Sequence, residues 1–229
     1  MNILAIDTSS VYGSVALYNE KISFIGFSNI RVTHSERLLP QIDTALKQSK
    51  LNIKDLDAVC LSNGPGSFTG IRIGLSTAKA ICMGNQIPLI AYNSLEVLAA
   101  NLYGNKLPIL ALNDAKMSEI YGALYTHELK EMIPPQNAKP QEFLKNINEP
   151  VCIVGDGYLA YKEIIEQSEI QYTIPLLHQN IPLASSMISM ILFDDELPKY
   201  DFDYISDLEP FYLRKSQAEL VRDLKLQKK

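Results

Sequence analysis

The first thirty residues fall into three short apolar runs broken by turn-forming residues, and this pattern predicts strands rather than helices. The runs are Ile3 to Asp7, Gly13 to Tyr18 and Ile22 to Ser28, with Thr8-Ser9-Ser10 and Asn19-Glu20 between them. From Thr33 the period becomes helical, because Leu38, Ile42, Ala45, Leu46 and Leu51 recur on one helix face opposite Glu36, Asp43 and Lys47. Thr33-His34-Ser35-Glu36 fits a capping box. Pro40 removes one helical N–H, which predicts a kink or an irregular first turn.

Ala58 to Ser62 reads as a short buried strand. It runs into Gly64-Pro65-Gly66-Ser67-Phe68-Thr69-Gly70 and then a long apolar helix to about Gly84. Ile87 to Ala91 predicts a strand, and Ser94 to Leu102 a helix with Ser94 as N-cap. The second half begins like the first, with a hairpin from Pro108 to Asn113 and Glu119 to Thr126, followed by a proline-studded stretch from Pro134 to Pro140. A strand (Val151 to Val154), a Gly155-Asp156-Gly157 turn and helices over Leu159 to Gln167 and Ala184 to Phe193 complete it. Two related lobes, 1-103 and 104-204, are expected, with a C-terminal segment 205-229. Phe211 to Lys229 is locally basic, which suits either a solvated terminal helix or a nucleic-acid contact.

The Gly64 to Gly70 loop brings backbone N–H groups and a helix N-terminus together, an arrangement suited to an anion. The spacing fits neither a Walker A loop nor a dinucleotide fingerprint. A tight strand-to-helix turn with Phe68 wedged beneath it is the other reading. The helix after the loop is apolar nearly all round, with Arg72 and Lys79 its only charges. Such a helix is buried on two sides, one by its own sheet and the other by a neighbouring helix or another protein. Asp7, at a strand end beside Thr8 and Ser9, could hold a metal-bound water near a phosphate or cap its own turn. His34, His127 and His178 have no metal spacing, and no Gly-x-Ser-x-Gly elbow occurs.

The chain has 229 residues, of which 47% are hydrophobic and 21% charged, a globular composition. Its net charge of −5 opposes unaided binding to a phosphate backbone, so any RNA contact needs a partner. Cys60, Cys82 and Cys152 lie among apolar neighbours and read as small buried hydrophobes of a reducing compartment. Met1 to Asp7 lacks a basic n-region and no apolar run is long enough for a membrane helix, so a cytoplasmic location with no membrane contact is expected.

Five segments in this order resemble the bacterial TsaB (YeaZ) family. They are Ile6-Asp7-Thr8-Ser9, His34-Ser35-Glu36-Arg37-Leu38-Leu39-Pro40, Gly64 to Gly74, Asp114-Ala115-Lys116 with Glu119-Ile120-Tyr121, and Pro210-Phe211-Tyr212-Leu213-Arg214. The resemblance implies an α/β, two-lobed actin-like or Hsp70-like ATPase fold (ribonuclease H-like), with mixed sheets flanked by helices. It implies a non-catalytic subunit for N6-threonylcarbamoylation of adenosine 37 in tRNAs reading codons that begin with A. The implied partners are the catalytic paralogue TsaD and the ATPase TsaE, with tRNA met only through the complex and a homodimer when alone. An autonomous phosphotransferase of the same fold, or a peptidase, is the alternative.

The catalytic relative's metal-binding histidines match Ser94 and Leu98 here, and its glycine-rich nucleotide turns match Asn113-Asp114-Ala115-Lys116 and Gly155-Asp156-Gly157. Lost ligands and an added carboxylate imply that this chain binds no cofactor, with ATP and metal held by the partner subunits. Asp7, Thr8, Ser9, Gly64, Gly66, Ser67, Gly155 and Gly157 are then vestigial nucleotide or anion loops. The family's partner surface carries over to Ser35, Leu38, Leu39 and Ile42 on the first helix and Arg72, Leu75, Ser76, Lys79 and Met83 on the second, some facing the partner and some the core.

Overall fold

The computed structural model describes residues 1–28, 34–193, 196–215 and 219. Strands β1 (Asn2–Asp7), β2 (Gly13–Asn19) and β3 (Lys21–Ser28) form the expected meander, followed by α1 (His34–Ser49), β4 (Ala58–Ser62), α2 (Phe68–Asn85), β5 (Leu89–Tyr92) and α3 (Ser94–Ala100). The second half runs β6 (Ile109–Lys116), β7 (Glu119–Tyr125), β8 (Glu131–Ala138), α4 (Pro140–Leu144), β9 (Val151–Val154), α5 (Gly157–Ala160), α6 (Lys162–Glu166), β10 (Tyr172–Thr173) and α7 (Ala184–Ile191). A short α8 (Phe202–Asp207) follows, a helix that the apolar pattern does not announce.

The first sheet has strand order β3-β2-β1-β4-β5 and the second β8-β7-β6-β9-β10, the same order counted from the start of each half. In both, the first three strands pair antiparallel and the last two join in parallel. Both faces of β1 are buried: Leu4 and Ile6 meet Leu38, Ile42, Leu75 and Ala78 of α1 and α2. Ile3 and Ala5 meet Met187, Ile188 and Ile191 of α7 on the other side. The terminal helix of each half therefore crosses over, since Leu95, Leu98 and Ala99 of α3 pack on Ile109, Ala111 and Ala123 of the second sheet. All three cysteines are buried thiols.

Two local expectations need correction, one segment gains an element and one expectation goes untested. The proline-studded stretch, which the pattern left without an element, begins within a strand, since Pro134 and Pro135 lie in β8. They sit where the register slips between Gly122 paired with Gln136 and Leu124 paired with Ile133, on an edge strand where a missing N–H costs no ladder bond. The cap of α3 is Asn93, whose side chain accepts from Leu95 N at 2.9 Å. Ser94 instead donates its hydroxyl to the Pro65 carbonyl. The helix expected over Leu159 to Gln167 is split into α5 and α6 at Tyr161. Thr33 of the expected capping box lies outside the described residues, and α1 runs on through Pro40.

Candidate functional site

Every residue carried over as a nucleotide loop lies at the end of a sheet strand or on the turn that follows it, but each is occupied by the chain itself. In the first lobe the turn after β1 presses on the glycine loop. A Cβ at Gly66 would lie 2.1 Å from the Ser9 carbonyl oxygen, and one at Gly70 would lie 2.1 Å from that of Thr8. Glycine is required at both positions by backbone meeting backbone. Ser67 N donates to Ser9 O at 2.7 Å, and Thr8 Oγ1 donates to Gly70 O at 2.8 Å. Ser67 is the N-cap of α2, its hydroxyl accepting from Gly70 N. Phe68 is not wedged beneath the turn: it stacks on Tyr212 with ring centroids 4.6 Å apart.

Asp7 is fully buried, and its Oδ1 accepts from the N–H (3.0 Å) and hydroxyl (2.9 Å) of Ser9, which is the Asx-type cap of its own turn. Its Oδ2 has no hydrogen-bond partner among the described residues. Burial pushes the Asp7 carboxyl above its usual value, opposed by the backbone and side-chain hydrogen bonds from Ser9. His34 Nε2 donates to Ser10 O at 2.9 Å, so the same turn is tied to the start of α1.

The second lobe repeats the arrangement with side chains. Gly155 has a φ of +112°, and a Cβ there would lie 2.2 Å from Leu112 O, so only glycine fits. Its N–H donates to Asn180 Oδ1 at 2.9 Å. Gly157 lies almost as close to Leu112. Asp156 Oδ1 accepts the N–H of Asp114 at 2.8 Å. Lys116 Nζ pairs with Asp114 Oδ2 at 2.6 Å, and Tyr161 OH donates to Asp114 Oδ1 at 3.0 Å. Burial alone would raise Asp114, but the hydrogen bonds from Lys116 and Tyr161 outweigh it and hold the carboxyl below its usual value. Burial pushes Asp156 up, and the neighbouring Asp114 carboxylate adds to that.

The residues carried over as a partner surface divide between core and outside. Leu38, Ile42 and Leu75 are buried in the first-lobe core. Met83 packs on the rim of that core. Ser35, Leu39, Arg72 and Ser76 are exposed, Leu39 at 58%. Ser35, Leu39, Arg72, Ile73 and Ser76 line a groove of about 420 Å³ between α1 and α2, with Leu38 at its floor. Lys79 is half-buried because Nζ donates to Ser206 O at 2.8 Å. Ser94 and Leu98 are both fully buried, and Leu98 belongs to the second-lobe core. A larger cavity of about 810 Å³, between α4 and α6, lies away from both loop sets.

Sequence reasoning gave no role to Asn101, Tyr161 or Asn180. Asn101 Nδ2 donates to Gln179 O and Ile181 O at 2.8 Å each, while its Oδ1 accepts from Ser186 Oγ at 2.6 Å. The partners lie some eighty residues away along the chain, beyond the reach of any local pattern.

Two lobes of identical strand order, each with its loops gathered at the strand ends and its last helix on the other lobe's sheet, define the actin-like class of two-lobed ATPase folds. A solved Pseudomonas aeruginosa structure, described by its similarity to the peptidase YeaZ, aligns with a TM-score of 0.77 at 26% identity, covering 93% of this chain and 99% of that one. The family model for TsaD, tRNA N6-adenosine threonylcarbamoyltransferase, matches residues 29–191. The tRNA threonylcarbamoyladenosine biosynthesis protein TsaB of Buchnera aphidicola (Schizaphis graminum) is 31% identical, over 86% of this chain and 96% of its own length. The Bacillus subtilis protein of the same description is 34% identical over 72% of this chain and 76% of its own. The chain belongs to the TsaB (YeaZ) family.

Proposed function

We propose that this chain serves the synthesis of threonylcarbamoyladenosine in tRNA as a non-catalytic subunit, which binds and activates a TsaD-like catalytic paralogue. A TsaE-like ATPase is the further partner, tRNA is reached through the complex, and ATP and metal sit on the partner subunits. The observation that carries the reading is the way the four strand-end loops are filled. The N–H groups of Asp114 and Gly155 are already given to Asp156 and Asn180, while Gly66 and Gly70 are closed by Ser9 and Thr8, and Gly64 by Phe211. The Asp156 carboxylate, where an anion would approach, opposes a triphosphate. These residues do not fit a nucleotide held as a cofactor, so binding another protein is the task that remains.

The α1–α2 face is suited to that task. Exposed Ser76, Ala80 and Gly84 are small, so another helix can approach α2 closely, and a Cβ at Gly84 would meet no atom within 4 Å. Leu39 supplies an apolar anchor beside them. The same face would hold a second copy of the chain when no paralogue is present. Leu39→Glu, on an exposed site, should leave the fold intact and abolish co-elution with the paralogue. Purified wild-type protein should restore tRNA modification when added to TsaD, TsaE and threonylcarbamoyl-AMP, while Leu39→Glu should not. Modification that proceeds equally well without this chain refutes the proposal.

A further inference from the structure

The residues after α8 form a strap that crosses from one lobe to the other. Phe211 N donates to Asn63 O at 2.9 Å and Asn63 Nδ2 donates to Glu209 O at 2.8 Å, so two opposed hydrogen bonds seat the strap on the end of β4. It runs so close that a Cβ at Gly64 would lie 2.7 Å from Phe211 O. Tyr212 then stacks on Phe68, and its hydroxyl accepts from Arg72 Nε at 2.7 Å. The Arg72 guanidinium lies 5.5 Å from the centre of the same ring. Leu213 packs on the second-lobe core. Arg214 Nη1 reaches Glu119 Oε2 on β7 at 3.2 Å, and Asn137 Nδ2 on β8 donates to the same oxygen at 2.8 Å.

The geometry points to this strap as a latch between the lobes that sets the position of Arg72 at the rim of the α1–α2 groove. Glu119 and Arg214 are then positioning residues for the docking of a second protein on that face; the docking part rests on the function proposed above. Arg72 is exposed on α2 and has many rotamers, and the Tyr212 ring and hydroxyl together select one of them. A side chain already held in place loses less freedom when a partner arrives. Tyr212 is itself fixed from both ends, by Asn63 in the first lobe and by the Arg214–Glu119 pair in the second. That pair is half-buried, with side-chain exposures of 19% and 31%, so it is screened less than a surface pair. A shift of the second lobe moves Arg214, and through Tyr212 it moves the docking edge of the first.

The test uses the full-length chain alone and then with its TsaD-like paralogue. Arg214→Gln and Glu119→Gln should each raise amide exchange at Phe211 by roughly two- to tenfold, and the double variant should add nothing further, as expected for two ends of one interaction. Tyr212→Phe keeps the stack and removes only the hydroxyl. It should leave exchange at Phe211 unaltered yet weaken paralogue binding by roughly two- to tenfold. Wild-type exchange at Phe211 in Arg214→Gln overturns the latch. Raised exchange with unaltered affinity in every variant overturns its part in docking. Failure of the wild-type chain to bind the paralogue defeats the proposed function instead, while the exchange measurement still decides the latch.

Discussion

Gly74→Ala and Gly84→Ala place the same methyl group on the same helix and should change stability in opposite directions. A helix interior gains about 0.8–1.0 kcal/mol when Gly becomes Ala, so propensity alone predicts that both variants are stabilised. At Gly84 the added Cβ meets no atom within 4 Å, and the position lies one residue before the end of α2, so a gain of about 0.5 kcal/mol is expected. At Gly74 the Cβ would lie 2.3 Å from Thr8 Oγ1 and 3.2 Å from Leu61 Cδ1. Thr8 is buried and its hydroxyl is bonded to Gly70 O, so it can yield only by giving up that bond. Overpacking costs about 1–3 kcal/mol, and stranding a buried polar group costs a further ~1–3 kcal/mol. Against a helix gain of about 1 kcal/mol, the net loss is about 3 kcal/mol, or roughly 6–12 °C in Tm for a chain of this size. Urea titration monitored by circular dichroism measures both variants. Thr8→Ala combined with Gly74→Ala provides an internal control, because the Thr8 Cβ lies 3.6 Å from the new atom, an ordinary contact. The double variant should be markedly more stable than the sum of the singles. If Gly74→Ala is as stable as the wild type, the close seating of the β1–β2 turn on α2 is wrong.

Two other perturbations address the joints of the molecule. Asn101→Ala removes three hydrogen bonds that join the C-terminal cap of α3 to α7 and the segment leading into it, and should lower unfolding free energy by about 2–4 kcal/mol in urea titration. A loss under 0.5 kcal/mol would show that water replaces them without cost. For Asp7, the folded carboxyl titrates above the unfolded value of 3.8, so between those two values the folded chain binds more protons than the unfolded one. Its contribution to stability is complete below 3.8 and is lost as pH rises through the folded value. Asp7→Asn lacks that titration. Its stability relative to the wild type should therefore rise with pH and level off above the folded value, whereas a difference that does not vary with pH would contradict the buried carboxyl.

Most of the fold was legible because its signals are local. The meander is written in short apolar runs between Thr8-Ser9-Ser10 and Asn19-Glu20, and the β4–α2 unit in the apolar run before Gly64 and the helical stripe after it. The two-sided burial of α2 was legible only in part. Ile71, Leu75, Ala78 and Cys82 do face the core, but Ser76, Ala80 and Gly84 face outward, and composition alone does not separate a small outward residue from a small buried one. Leu38, Ile42 and Leu75 were carried over as contact residues with the rest of their helices, although their spacing is that of the core stripe. Pro134 and Pro135 misled because a proline is compatible with a strand only at an edge or bulge, and edge position is a property of the finished sheet. The roles of Asn101, Tyr161 and Arg214 depend on partners 47 to 95 residues away along the chain, so no window of sequence contains them.

The duplicated topology and the filled loops have a common mechanical consequence. Two lobes joined by a single connection could rock about it, but here α3 lies on the second sheet and α7 on the first. Asn101 clasps the segment before α7, and the strap ties Asn63 in one lobe to Glu119 in the other. Each joint spans both lobes, so opening one requires breaking the others as well. For the docking role proposed above, this rigidity would lower the ordering cost of association, because the contact surface is fixed before the partner arrives. It also explains why the glycines of the first-lobe loop are kept although their space is filled. Gly66 and Gly70 let the β1–β2 turn sit directly on the N-terminus of α2, and Gly64 lets the strap pass over it. The turn, the loop and the strap thus meet at the first turn of α2, one helical turn from Arg72 and two from Ser76. Features that look like remnants of a phosphate site are, in this chain, packing contacts at the foot of the helix proposed above to dock a partner.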